Sequence, residues 1–407
     1  MGRHRGWRSI VGLLMAGSLV VAACGDDDGG GSAEGFKFGM ILVGPQNDQG
    51  WSQAHYEAGL YVVEQLGLPA EAMIVLDKVN TADRPETSLE SVVDEMVANG
   101  AQMIFATSDD MKNGIEAAAA AHPDVPMIWS SGDSAWAEGK AYRADLTNLG
   151  NIMGRMEYAK MIAGCAGALT SETGQIAYLG PLINDETRRL VNSAFLGARY
   201  CWETYRGEDP ATLGFEVKWI GFWFNIPGFT LDPTQVTNEF LAAGADVVIS
   251  GIDTTEAIVR VGQAAAGGEA VWAVPYDFED ACAAAPEACL GVPYFNWGPS
   301  YLDAAQSVID DEFTASWLWL GPDWDDINDP DTSAVGWVSG NGLPAEASGD
   351  LDAFIAGLGS GDIDLYVGPL NWQDGSAFLA DGAEATDFQI WYAEQLLEGI
   401  VGASAGG

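Results

Sequence analysis

The stretch Gly44-Pro45-Gln46-Asn47-Asp48-Gln49-Gly50-Trp51-Ser52 closes a short apolar run and opens a helix-like pattern. Gly and Pro turn the chain, Asn47 and Asp48 offer directional polar groups, and Trp51 presents a flat apolar face. Comparable clusters close other apolar runs: Ser108, Asp109 and Asp110; Phe222, Trp223, Phe224 and Asn225; Asp277 and Phe278; Asn296 and Trp297. Singly, Asp48 reads equally as a helix cap and Trp51 as a core anchor. Together, aromatic planes with a few carboxylates and amides suit a flat ring with a polar edge, stacked on its faces and hydrogen-bonded at its rim.

The same residue types do not assemble into catalytic chemistry. The three histidines are His4, His55 and His122, scattered and without a metal or nucleophile spacing. No glycine-rich phosphate loop follows the first apolar run, and adjacent acids such as Asp109 and Asp110 are usually solvated or capping. A binding protein is expected, with no enzyme activity, no cofactor and no metal. The acidic run at 323–331 lacks the spacing of a calcium loop and reads as a solvated turn.

What must position these clusters is an alternation of β-like runs with amphipathic helices, the pattern of parallel sheets covered on both faces. Strands are expected at 36–43, 72–76, 102–107 and 125–129, with helices at 51–66, 86–98 and 110–121. A second series has a long helix from 148 to about 169 and strands near 175–179, 216–222, 247–251 and 270–274. Later pieces at 291–295, 335–338 and 364–367 are expected to extend the two sheets. The fold class is α/β, with two doubly wound lobes: 36–147 and 277–328 in one, 148–276 and 329–402 in the other. In such sheets ligands sit beyond the carboxyl ends of the strands, where the clusters lie.

The N-terminus carries Arg3, His4, Arg5 and Arg8, then an apolar run from Ile10 to Ala23, then Cys24. That run is too short to span a bilayer comfortably and has the layout of an export signal over 1–23. It resembles a bacterial lipobox, which implies cleavage before Cys24, lipid on its thiol and a membrane anchor. Residues 24–35 have almost no apolar content and read as a tether. In an oxidising compartment the remaining cysteines pair: Cys282 with Cys289 across a short loop, and Cys165 and Cys201 near the ends of two successive helices. The chain has 59 acidic residues against 17 Lys plus Arg and a net charge of -42. Such a surface disfavours nucleic acid as a partner.

The G-P-x-x-D-x-G-W stretch at 44–51, Leu241-Ala-Ala-Gly-Ala-Asp-Val-Val, Tyr276-Asp277, Phe295-Asn296-Trp297 and Asp364-Leu-Tyr-Val-Gly-Pro, in that order, resemble the basic membrane protein family of transporter solute-binding lipoproteins, which includes purine nucleoside receptors. The resemblance implies a type I periplasmic-binding-protein fold with three interlobe crossings, a purine base or nucleoside as ligand, and an ABC permease and ATPase as partners. It implies stacking by Trp51, with Asp48 beside it, base-edge reading by Ser108 or Asp109, and a second stacking face from Phe222 or Trp223. Gly251 would admit the backbone, Asp277 would bind ribose hydroxyls, and Asn296 and Trp297 stand where nucleoside receptors carry a lysine. The Trp at 51 resembles members that take a free base. A sensor feeding a membrane receptor, or a protein for another small aromatic or polar solute, shares the same signals.

Overall fold

The computed structural model describes residues 33–405; the expected leader, Cys24 and the first part of the tether lie outside the described residues. Four-residue apolar runs such as Phe38–Ile41, Met103–Ala106 and Met127–Ser130 are buried at every position. Strands buried on both faces belong inside parallel sheets sandwiched by helices. Two such sheets form. The first runs Trp317–Leu320, Leu149–Gly154, Met127–Ser130, Met103–Ala106, Phe38–Ile41, Met73–Leu76 in space, all parallel. The second runs Ile400–Val401, Gly214–Trp219, Gln175–Gly180, Val247–Ser250, Trp272–Val274, also all parallel.

Each sheet therefore places its first strand inside, with the second on one side and the third on the other. The winding reverses beside Phe38–Ile41 in one lobe and beside Gln175–Gly180 in the other. Such reversals open a crevice at the carboxyl ends of the strands.

Three sequence expectations change. Residues 149–154 form a strand of the first sheet, not the start of a second-lobe helix, which begins at Met156. The glycines at 150 and 154 and the polar Asn151 blur the apolar signal there, yet all six residues are buried. Second, Gly291–Phe295 and Val335–Ser339 do not join the lobes' sheets but pair antiparallel with each other. Phe295 and Val335 pack into the first lobe's core, whereas Leu290 and Trp337 pack into the second's. This ribbon carries two crossings between the lobes, and the passage from Gly154 to Met156 is the third. Finally, 364–367 is not a strand.

Both expected disulfides are present, Cys165–Cys201 with Cα atoms 5.2 Å apart and Cys282–Cys289 at 5.6 Å. The first joins helices Met156–Thr170 and Asp185–Thr204, which pack against each other under the second lobe.

After the ribbon strand Val335–Ser339 the chain visits the first lobe once more. Trp391 and Tyr392 lie in the first lobe's core, while Leu396, Leu397 and Ile400 lie in the second's. Tyr392 stacks on Trp136 at 5.7 Å, its hydroxyl donates to Asp133 Oδ2, and it accepts the Lys140 N–H at 2.6 Å. Arg155 holds Asp387 through both guanidinium nitrogens, at 3.0 and 2.6 Å. The segment is a strap across one flank of the lobes. Tyr392→Phe strands the buried Asp133 carboxylate and is expected to cost about 1–3 kcal/mol in urea unfolding. An unchanged midpoint would mean that the strap is undone in solution.

Candidate functional site

The two crevices face each other across one narrow cavity. Its wall is drawn from seven strand ends. The first lobe supplies Trp51, Ser108, Asp109 and Ser131; the second supplies Tyr178, Pro181, Glu186, Thr187, Leu190, Trp223, Gly251, Asp253 and Tyr276.

Trp51 is placed by the turn before it. The Asp48 carboxylate accepts the N–H groups of Gly50, Ser52 and Gln53 at 3.0, 3.0 and 2.9 Å, capping the helix Trp51–Gln65. Asp48 is thus a cap and does not line the cavity. Burial pushes its carboxyl up to about 6 against those three amides. The Trp51 indole N–H donates to the Thr107 carbonyl at 2.6 Å, and Phe295, Trp297 and His55 pack edge-on around the ring at 5.4, 5.3 and 4.7 Å. The ring orientation is fixed before any ligand arrives.

Across the cleft, Trp223 lies in the loop between Gly214–Trp219 and Pro233–Ala242, next to the Pro181 and Gly251 turns. Phe224 packs against the first lobe's core, and Phe222 lines a separate groove beside Asn80, Leu89 and Met111. That leaves Trp223 as the one of the three that lines the cavity, and its carbonyl accepts the Asp253 N–H at 3.0 Å. Gly251 stands where a Cβ would lie 2.5 Å from the Tyr178 ring, so no side chain fits between that ring and the strand end.

The remaining sequence candidates lie elsewhere. Asp277 is fully buried at the turn into the hinge ribbon, with φ of 73° and its carbonyl accepting the Phe295 N–H. The neighbouring cation is Lys160, itself buried, which donates to the Ser250 carbonyl at 2.7 Å and sits 3.3 Å from the centre of the Tyr276 ring. Burial holds the Asp277 carboxyl well above its ordinary range, with Lys160 pulling the other way. Asn296 spends its amide on the carbonyls of Pro330 and Ser333, both at 2.9 Å. Trp297 stacks on His55 at 4.3 Å behind Trp51 and is 2% exposed. Among the described residues no group of three His, Cys, Asp or Glu is placed to hold a metal ion, at 323–331 or elsewhere.

Eight wall residues were not among the site residues expected from sequence, and four of them carry rings or carboxyls: Tyr178, Glu186, Asp253 and Tyr276. Burial pushes the Glu186 carboxyl up to about 7 despite Arg189 nearby, and lifts Asp253 well above the usual carboxylate range with Asp277 and Asp48 adding to it. Asp109 is also raised by burial, although Asn184 reaches it from the opposite lobe at 3.4 Å.

The comparisons fit this geometry. The model of a family described as ABC transporter substrate-binding protein PnrA-like matches residues 36–205. That match spans less than half of the chain, and over it the chain is similar to that family. The chain is 26% identical to a purine-binding protein of Brucella abortus over 91% of its own length and 95% of the relative's. It is 25% identical to a putative ABC transporter glucose-binding protein of Haloferax volcanii, over 72% and 67% respectively. Among solved structures, an ABC solute-binding protein of Aeropyrum pernix superposes with a TM-score of 0.63 at 13% identity, covering 81% of this chain and 92% of that one. A counterpart from Conexibacter woesei gives 0.57 at 17%, covering 81% and 98%. These likenesses establish the type I periplasmic-binding fold for this chain.

Proposed function

We propose that the protein captures a purine base or purine nucleoside between its lobes and delivers it to an ABC permease and its ATPase. The observation that carries this reading is the meeting of both sheet reversals on one cavity, lined by Trp51 from one lobe and Trp223 from the other. Two indoles on separate lobes can sandwich a flat ring only when the lobes close, so ligand and closure stabilise each other. Ser108 and Asp109 would read the ring edge from the first lobe, and Gly251 lets the Tyr178 ring lie against the strand end in the second. Asp277 is sealed in the hinge, so a ribose would find no partner there. The purine-binding relative supports the ligand class.

A sugar is the second reading, favoured by the glucose-binding relative and by a wall that pairs aromatic rings with carboxylates. Each stacked face or satisfied hydrogen bond contributes roughly 1 kcal/mol, so several together are needed for micromolar affinity. Calorimetry against adenine, guanine, hypoxanthine, their nucleosides and glucose separates the readings. Saturable binding of a purine is expected; binding of glucose alone would overturn the ligand assignment. Lipid on Cys24 would tether the clamp beside its permease, and mass spectrometry of membrane-extracted protein would show a diacylglyceryl adduct on the N-terminal peptide beginning at Cys24.

A further inference from the structure

The charged lining of the cavity is all acceptor. Asp109, Glu186 and Asp253 stand in the wall, and Glu186 and Asp253 are only 8% and 4% exposed. Among the described residues no protein donor hydrogen-bonds the side chain of either. Two of the three cations around them are engaged elsewhere, and the third, Arg189, keeps its buried Nη2 without a partner while pulling the Glu186 carboxyl down. Arg189 donates to Glu157 at 2.5 Å and to the Trp391 carbonyl at 3.3 Å, Lys160 donates to Ser250, and Lys112 pairs with Glu116. Asp133 faces Asp109, while Asp48, Asp110 and Asp277 face Asp253, all adding negative charge.

A buried carboxylate without a donor is unstable unless it takes a proton or a partner brings the donor. Trp51, Tyr178, Trp223 and Tyr276 surround the same space, and aromatic faces attract positive charge. We infer that the ligand is a flat heterocycle carrying amino N–H groups, with Glu186 and Asp253 accepting its hydrogen bonds from the second lobe and Asp109 from the first. This rests on the purine reading and narrows it to amino-substituted bases, adenine and guanine. Hypoxanthine lacks the exocyclic amine and would set a C–H, which satisfies no acceptor, where guanine sets an N–H donor. Anionic solutes, including nucleotides, are repelled outright.

The test is calorimetry of the purified full-length protein and its Glu186→Gln and Asp253→Asn variants with adenine, guanine, hypoxanthine, thiamine and glucose. Sites built around buried hydrogen-bonding groups discriminate strongly between ligands that do and do not satisfy them. Wild type is expected to prefer guanine over hypoxanthine by about tenfold or more, and Glu186→Gln to shrink that ratio to within about threefold. Equal binding of the two bases by wild type, or a ratio that neither variant changes, overturns the inference while leaving the purine reading intact. Should no purine bind but the amine-bearing cation thiamine bind, with affinity lost in Asp253→Asn, the purine reading fails and the acceptor wall stands. Glucose binding alone overturns both. Thermal melts of each variant without ligand check that loss of binding is not loss of fold.

Discussion

Gly50→Ala is expected to leave the ligand-free protein as stable as wild type and to weaken ligand binding by roughly 150-fold. Gly50 is the last residue before the helix that carries Trp51, and it meets the opposite lobe directly. A methyl group on it would lie 1.8 Å from the carbonyl oxygen of Asp253 and 2.6 Å from the carbonyl carbon. Backbone cannot rotate aside as a side-chain tip can, so the lobes must part by more than an ångström to admit the methyl. Overpacking of this kind costs about 1–3 kcal/mol, and a contact this short belongs at the upper end. The penalty falls only on the closed state, because Gly50 and Asp253 belong to different lobes and separate when the clamp opens. Calorimetry measures the affinity, and thermal melts without ligand measure the stability. Affinity within threefold of wild type would show that the bound form does not bring Gly50 onto Asp253. A lowered melting temperature without ligand would show instead that the free protein already rests closed.

The strands were legible because each is a short apolar run bounded by turn residues, and in parallel sheets that signal needs no alternation. The hinge ribbon was not, since Gly291–Phe295 and Val335–Ser339 carry the same kind of run; which sheet a strand joins is a tertiary fact. The candidate site was half legible for a related reason. Looking just beyond strand ends found Trp51, Ser108, Asp109, Trp223 and Gly251, all of which line the cavity. The same rule applied to Val247–Ser250 points equally to Asp253, three residues past the strand, but an acid before Thr254, Thr255 and a helix reads as local capping. Glu186 sits in the first turn of its helix, where a carboxylate is ordinary beside the helix dipole. Tyr178 lies inside a strand and reads as core. Conversely, Asp48, Asn296 and Asp277 have the right residue type at the right place in the chain and are turned to capping, loop and hinge contacts. Nothing local distinguishes a carboxylate that faces a ligand from one that faces three amides two residues on.

The clamp with its lobes closed is expected to lose stability as the pH rises from about 5 to about 7, by an amount on the order of 3 kcal/mol. Burial pushes the carboxyls of Glu186 up to about 7 and of Asp48 and Asp110 up to about 6, and raises Asp109, Asp253 and Asp277 as well. In the unfolded chain the same groups titrate near 4. Between these values the folded state holds protons that the unfolded state has released, so stability is full below the unfolded pKa and falls as pH rises towards the folded one. Two groups oppose this. Burial holds His55 and Lys160 below their ordinary ranges, and a depressed base gains stability as pH rises. Six carboxyls outweigh two bases, which sets the sign. Surface repulsion in a chain of net charge -42 would add a slope of the same direction, but salt screens exposed charges and not buried ones. Thermal melts in about 1 M salt therefore isolate the buried term, and Glu186→Gln and Asp253→Asn should each flatten the profile. A profile that stays flat, or variants that leave its slope unchanged, would mean that these acids are ionised and paired in the free protein. An amino-bearing ligand that supplies the missing donors should lift the melting temperature more at pH 7 than at pH 5, because at pH 5 protons already occupy the places that its N–H groups would take.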